Sequence, residues 1–216
     1  MRFQNNKRIR DNKLEHMLTY SLDAMYSKLG YSYSRIRDSD LQTKGVGVIF
    51  YPPNKDGNKL YIDEKAAVTC MTRDLRTFSF EWSSENNPSR LGWLRAPGLK
   101  TTHYAIIYPR SEVNNIRKLD SLEWLLISKK KITNIIYSIP NLDEVVSSLY
   151  SEEYYNPKTN RNQRYVNLDN NGEIMTLKFV WSRNIYPEKP VNILFNKEDL
   201  IKMADKHLLI KYNVHK

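Results

Sequence analysis

Leu60-Tyr61-Ile62-Asp63-Glu64-Lys65-Ala66 is the stretch whose reading decides the fold. Tyr and Ile favour a pleated strand, and the turn-forming run Asn54-Lys-Asp-Gly57 stands just upstream. Before that turn comes Val46-Gly-Val-Ile-Phe-Tyr51, closed by Pro52-Pro53. The two apolar runs read as a β-hairpin. Three consecutive charges inside the second strand are the anomaly. Strand side chains alternate, so Asp63 and Lys65 share one face and Glu64 takes the other.

Moving outward, Asp11 caps a helix whose apolar positions are Leu14, Met17, Leu18, Leu22, Met25 and Leu29, spaced by threes and fours. Gly30 stands at its expected left-handed end. Thr77–Trp82 and His103–Tyr108 read as further strands, Asp120–Tyr137 and Asn141–Tyr150 as helices. Residues 151–172 are polar and read as a loop. Ile174–Trp181 and Val191–Phe195 read as strands, and Asn196 caps a last helix. Helix, strands, then helices specify an α/β or α+β core with a mixed central sheet flanked by helices. With no internal repeat and no long linker, residues 1–216 are expected to form one domain, residues 110–216 elaborating its core.

Composition sets outer bounds. In 216 residues, 34 Lys and Arg stand against 24 Asp and Glu, for a net charge of +10, and 40% of residues are hydrophobic. That is too apolar for a disordered chain. The lone Cys70 excludes an intramolecular disulfide and a cysteine-built zinc cage. No run of about 18 apolar residues suits a membrane span, and the polar, basic first 13 residues lack a secretory core. A cytoplasmic protein is expected. Excess positive charge points to polyanions.

An acid and a lysine two residues apart on one sheet face suit phosphodiester hydrolysis. A carboxylate oxygen binds Mg²⁺, and the metal generates hydroxide and neutralises charge on the phosphate. A lysine orients the attacking water or stabilises the transition state. The plain alternative is a surface strand with an ion pair. Glu81 in Phe78-Ser-Phe-Glu81-Trp lies opposite Phe80 and Trp82, on a face that could carry it toward Asp63.

Asp63-Glu64-Lys65 on the second strand of a hairpin, after Asp40-Leu-Gln-Thr-Lys-Gly-Val-Gly-Val-Ile49, resembles the PD-(D/E)XK nuclease superfamily, of restriction-endonuclease-like fold. The resemblance runs from the helix holding Glu15 to about Tyr108. It implies a Mg²⁺-dependent DNA endonuclease of type II restriction or defence character. Asp63 would be a metal ligand and Lys65 the partner of the attacking water. Some members place a helical acid near the metal, which gives Glu15 that role. The family's first-strand acid, usually Gly-Val-Asp or Gly-Ile-Asp, is matched by Gly45-Val46-Gly47. Either position 47 has lost its acid, naturally or by substitution, or Asp40 supplies one from nearby.

Phosphate contacts are expected from Gln42 and Lys44 beside the site and from Arg73 and Arg76. Arg161 and Arg164, in a segment rich in Asn, Gln and Tyr, are the candidates for reading bases. Double-stranded DNA is the expected partner, and a palindromic site would call for a homodimer. The competing readings are a non-catalytic nucleic-acid-binding protein on the same scaffold and a basic protein with no nucleic-acid role.

Overall fold

The structure, a computed structural model, describes residues 17–53, 57–84, 87–170, 172–182 and 189–212. It is an α+β fold with a mixed sheet and an antiparallel sheet. A single domain was expected for want of a linker. Within the chain two compact units can be told apart, and the chain passes between them at 75/76, 99/100, 128/129 and 203/204, so neither unit is continuous in sequence.

The first unit holds a six-stranded sheet in the order β1-β2-β3-β6-β7-β12. Its strands are β1 (Ser32–Arg35), β2 (Val48–Tyr51), β3 (Leu60–Ala66), β6 (His103–Arg110), β7 (Ser121–Ser128) and β12 (Lys206–Lys211). All neighbours are antiparallel except β3 and β6, which run parallel. Helix α1, residues 17–28, lies on one face. It ends as its sequence requires: Gly30 takes φ 72°, Tyr31 N–H donates to the Tyr26 carbonyl and Gly30 N–H to that of Ser27, each at 3.0 Å. That is the six-to-one and five-to-two pattern of a glycine-terminated helix. Leu18, Leu22, Met25 and Tyr26 form a core with Val48, Phe50, Ile62, Ala105, Ile107 and Trp124. Full burial of each large aliphatic side chain there contributes about 1.5–3 kcal/mol. A short helix α2 (Ser39–Thr43) precedes β2, with Asp38 as its cap accepting from the Asp40 N–H.

The second unit holds an antiparallel sheet in the order β5-β4-β11-β10-β9-β8. Its strands are β4 (Thr77–Ser84), β5 (Asn87–Leu91), β8 (Tyr155–Asn156), β9 (Arg161–Asn170), β10 (Glu173–Trp181) and β11 (Pro190–Asn196). Helices α3 (Lys129–Tyr137), α4 (Leu142–Ser148) and α5 (Lys197–Met203) belong to the same unit.

Two expectations are corrected. Residues 121–128 form a strand where a helix over 120–137 was read. Leu122, Leu125 and Leu126 fit helical spacing, yet Leu122, Trp124 and Leu126 lie in the α1 core while Leu125 and Ile127, on the other face, are also fully buried. A strand buried on both faces reads as a continuous apolar run, which periodicity cannot tell from a helix. Residues 151–172 are largely strand, not loop: β9 pairs with β10 along nine residues, from Asn162–Trp181 to Asn170–Glu173. The short edge strands β1 and β12 carried no clear signal. Among the described residues, no helix is long and apolar enough to cross a membrane.

Candidate metal and nucleic-acid site

The hairpin ladder stops where the charges begin. β2 and β3 pair from Phe50–Leu60 to Val48–Ile62, and Gly47 N–H adds a 2.8 Å bond to the Ile62 carbonyl. Beyond Ile62, β3 pairs with β6 alone among the described residues, Asp63 beside Tyr104 and Lys65 beside Ile106. The end of β3 therefore carries its three charges past the end of β2, and all three side chains stay half-buried.

The alternation expected from the sequence holds. Asp63 and Lys65 lie on one face, with Lys65 Nζ 3.1 Å from Asp63 Oδ2; the Lys65 side chain is 32% exposed and that of Asp63 16%. Tyr104 is buried beside them. Burial, and after it the Asp63 carboxylate, holds its hydroxyl far above the ordinary tyrosine range. Glu64 faces α1. It accepts from Tyr26 Oη at 2.7 Å, and Arg35 Nη1 meets its other oxygen at 2.6 Å. Arg35 Nε also reaches Asp23 Oδ1 at 2.6 Å. Burial alone would lower the Arg35 guanidinium, but Glu64 and Asp23 carry it above its usual value. The same surroundings raise Tyr26 well above the ordinary range, burial first and the Glu64 charge second.

Gly47 stands at the bend before β2, its carbonyl accepting from Ile36 N–H at 2.9 Å. A Cβ there would meet Glu64 Oε2 and the Ile62 carbonyl, each at 3.8 Å, which is ordinary contact. Position 47 thus looks toward Glu64, the residue expected to face away from the site.

The other candidates are divided between the two units. Glu81 lies on β4 of the second unit, paired with Asn192 of β11. Glu15 lies outside the described residues. Asp40 lies in the first turn of α2, where its carbonyl accepts from Thr43 Oγ1. Gln42 and Lys44 are exposed, and Gln42 donates its side-chain amide to the Ile36 carbonyl at 2.9 Å. Arg73 and Arg76 are exposed, Arg73 on the first unit and Arg76 on the second. Arg161 and Arg164 are half-buried on β9. Arg164 donates to Ser148 Oγ at 2.7 Å and stands 5.4 Å over the Tyr154 ring, so it ties α4 and the turn after it to the sheet.

The donor set decides what the site can hold. Mg²⁺ favours near-octahedral oxygen ligands with one or two carboxylates. Among the described residues, no group of three His, Cys, Asp or Glu side chains is placed to hold a metal ion. Asp63 faces the Lys65 ammonium, and position 47 offers no carboxylate.

No family model matches this chain, and neither a curated protein nor a solved structure shows significant similarity to it.

Proposed function

We propose that this chain is a double-stranded-DNA-binding protein on a restriction-endonuclease-like scaffold, catalytically impaired in this form, with glycine at position 47 where the resemblance expects an acid. The observation that carries the reading is the Asp63–Lys65 pair at 3.1 Å, on a strand that leaves its hairpin partner and runs on beside a parallel neighbour. That pair is the acid and lysine a metal-dependent nuclease uses, presented where two strands part. The net charge of +10 supplies the attraction to a phosphate backbone. A restriction or defence role, a homodimer and a cytoplasmic location go with this reading.

The second reading is an active Mg²⁺-dependent endonuclease. What favours it is that the unaltered chain already holds an acid and a lysine 3.1 Å apart on one strand face. Plasmid nicking in Mg²⁺ separates the two. The first reading expects duplex binding that weakens steeply with salt and no nicking, with cleavage appearing in Gly47→Asp and lost again in Gly47→Asp/Lys65→Ala. Nicking by the unaltered chain, abolished by Lys65→Ala, selects the second. Failure to bind any duplex at low salt overturns both.

A further inference from the structure

The sheet of the second unit has two unlike faces. Leu168, Met175, Leu177, Phe179, Ile193 and Phe195 are buried on one. On the other, Tyr165, Asn167, Ile174, Thr176 and Lys178 all remain accessible, Tyr165 at 61% and Ile174 at 69% exposure. The pairing is uneven as well. β10 meets β11 only over Lys178–Trp181, and β9 meets β8 only at Arg161 and Asn162. Between these limits, residues 166–170 and 173–177 pair with each other alone among the described residues. The far half of the hairpin is a two-stranded ribbon about 17 Å long, with one face packed and the other open.

The open face is poor in charge and rich in hydrogen-bonding groups. Asn167 stands directly opposite Thr176, whose hydroxyl donates to Asn167 Oδ1 at 2.9 Å. This cross-strand bond orients the amide and leaves its NH₂ and one oxygen lone pair for a partner. Lys178 Nζ sits 5.3 Å over the Tyr165 ring, so that ring's face is taken by a cation and is a poor stacking platform for an unpaired base. Asp169 turns its carboxylate into the hairpin turn, accepting the Gly172 N–H at 2.7 Å. Ile174 offers an apolar contact near the tip.

We infer that this open ribbon face enters the major groove of double-stranded DNA and that Asn167 reads a base edge there. The groove is about 12 Å wide and admits a two-stranded ribbon. An asparagine amide matches the N6 and N7 edge of adenine, and an exposed aliphatic side chain suits the thymine methyl. Phosphate attraction comes from the basic excess of the chain as a whole. This inference rests on the DNA-binding reading above. It moves base recognition from Arg161 and Arg164 to Asn167.

The test is selection from a pool of randomised 30-base-pair duplexes, run with the full chain and with Asn167→Ala, Ile174→Ser and Arg161→Ala. Melting of each variant is compared first to establish that it folds. The unaltered chain is expected to enrich a motif. Asn167→Ala should lose roughly tenfold or more in affinity for that motif, as is typical of a lost base contact, while keeping its affinity for unselected duplex and its salt slope. Arg161→Ala should enrich the unaltered motif. If the chain binds the pool but enriches nothing, or if Asn167→Ala and Ile174→Ser enrich the same motif with the same affinity, the ribbon inference fails and the DNA-binding reading stands. If Ile174→Ser converts a dimer to a monomer in sedimentation and leaves selection unchanged, the face joins two copies of this chain and the inference fails. No duplex binding by the unaltered chain overturns both.

Discussion

Arg35 clamps Glu64: its Nη1 lies 2.6 Å from Glu64 Oε2, and its Nε reaches Asp23 at the same distance. One guanidinium thus joins the strand β1 that carries it, the helix α1 and the charged end of β3. Removing it leaves two half-buried carboxylates without their cation. Arg35→Met should cost about 2 kcal/mol, below the range for fully buried pairs because these side chains retain some solvent. Urea unfolding measures the loss. Arg35→Met/Glu64→Met should recover most of it, and a single variant as stable as the parent would show that the clamp contributes nothing.

Gly47→Asp places a carboxylate against that of Glu64. In chelator the variant should be less stable than the parent by about 1 kcal/mol, from repulsion that Arg35 only partly offsets. Millimolar Mg²⁺ should then stabilise the variant selectively, since a ligand that binds only the folded state raises its melting temperature. For a chain of this size the gain is about 2–4 °C per kcal/mol of binding. Thermal melts with and without Mg²⁺ decide it. An equal shift in both proteins would mean that position 47 has no part in cation binding.

The buried tyrosines set the alkaline limit. Tyr26, Tyr104 and Tyr108 are all held above the ordinary range by burial, reinforced by Glu64, Asp63 and Glu123 in turn. Their folded-state values lie above the unfolded one, so their contribution is fully present below about pH 10 and is lost as pH rises beyond it, where only the unfolded chain ionises. Stability should fall above pH 10 by about 1.4 kcal/mol per pH unit for each such tyrosine. Denaturant titrations between pH 9 and 11 measure the slope, and Tyr104→Phe should make it shallower. An unchanged slope would contradict the assignment.

Asn162 is fully buried on β9 and donates its amide to two carbonyls, Leu149 at 2.7 Å and Ser151 at 2.6 Å. It pins the end of α4 to the sheet. Asn162→Ala strands both acceptors and should cost about 2–3 kcal/mol. Asn162→Asp presents a carboxylate to the same carbonyls and should cost more. Equilibrium unfolding ranks the three proteins, and an aspartate variant more stable than the alanine would refute the donor role.

Much of the first unit was readable from local pattern. The three-and-four spacing of Leu18, Leu22 and Met25 marks α1, Gly30 marks its end, and Pro52-Pro53 bounds the hairpin, because each rests on chain-local geometry. β7 was not readable. Its apolar run is buried on both faces, and burial on the second face depends on partners distant in sequence. β9 was missed because its outward positions are polar and its inward ones few. Its partner β10 supplies the ladder that makes it a strand.

The sequence by itself determined that Asp63 and Lys65 share a face, that Glu64 takes the other, and that position 47 lacks a side chain, since strand alternation and residue identity are local facts. Only the tertiary structure decided what those residues meet. It turned position 47 toward Glu64, placed Arg35 between Glu64 and Asp23, set Glu81 on a different sheet, and turned Asn167 to the open side of a ribbon while Arg164 ties down a helix. Those outcomes follow from strand register and from where each ladder stops, and register is fixed by pairing between segments far apart in the chain.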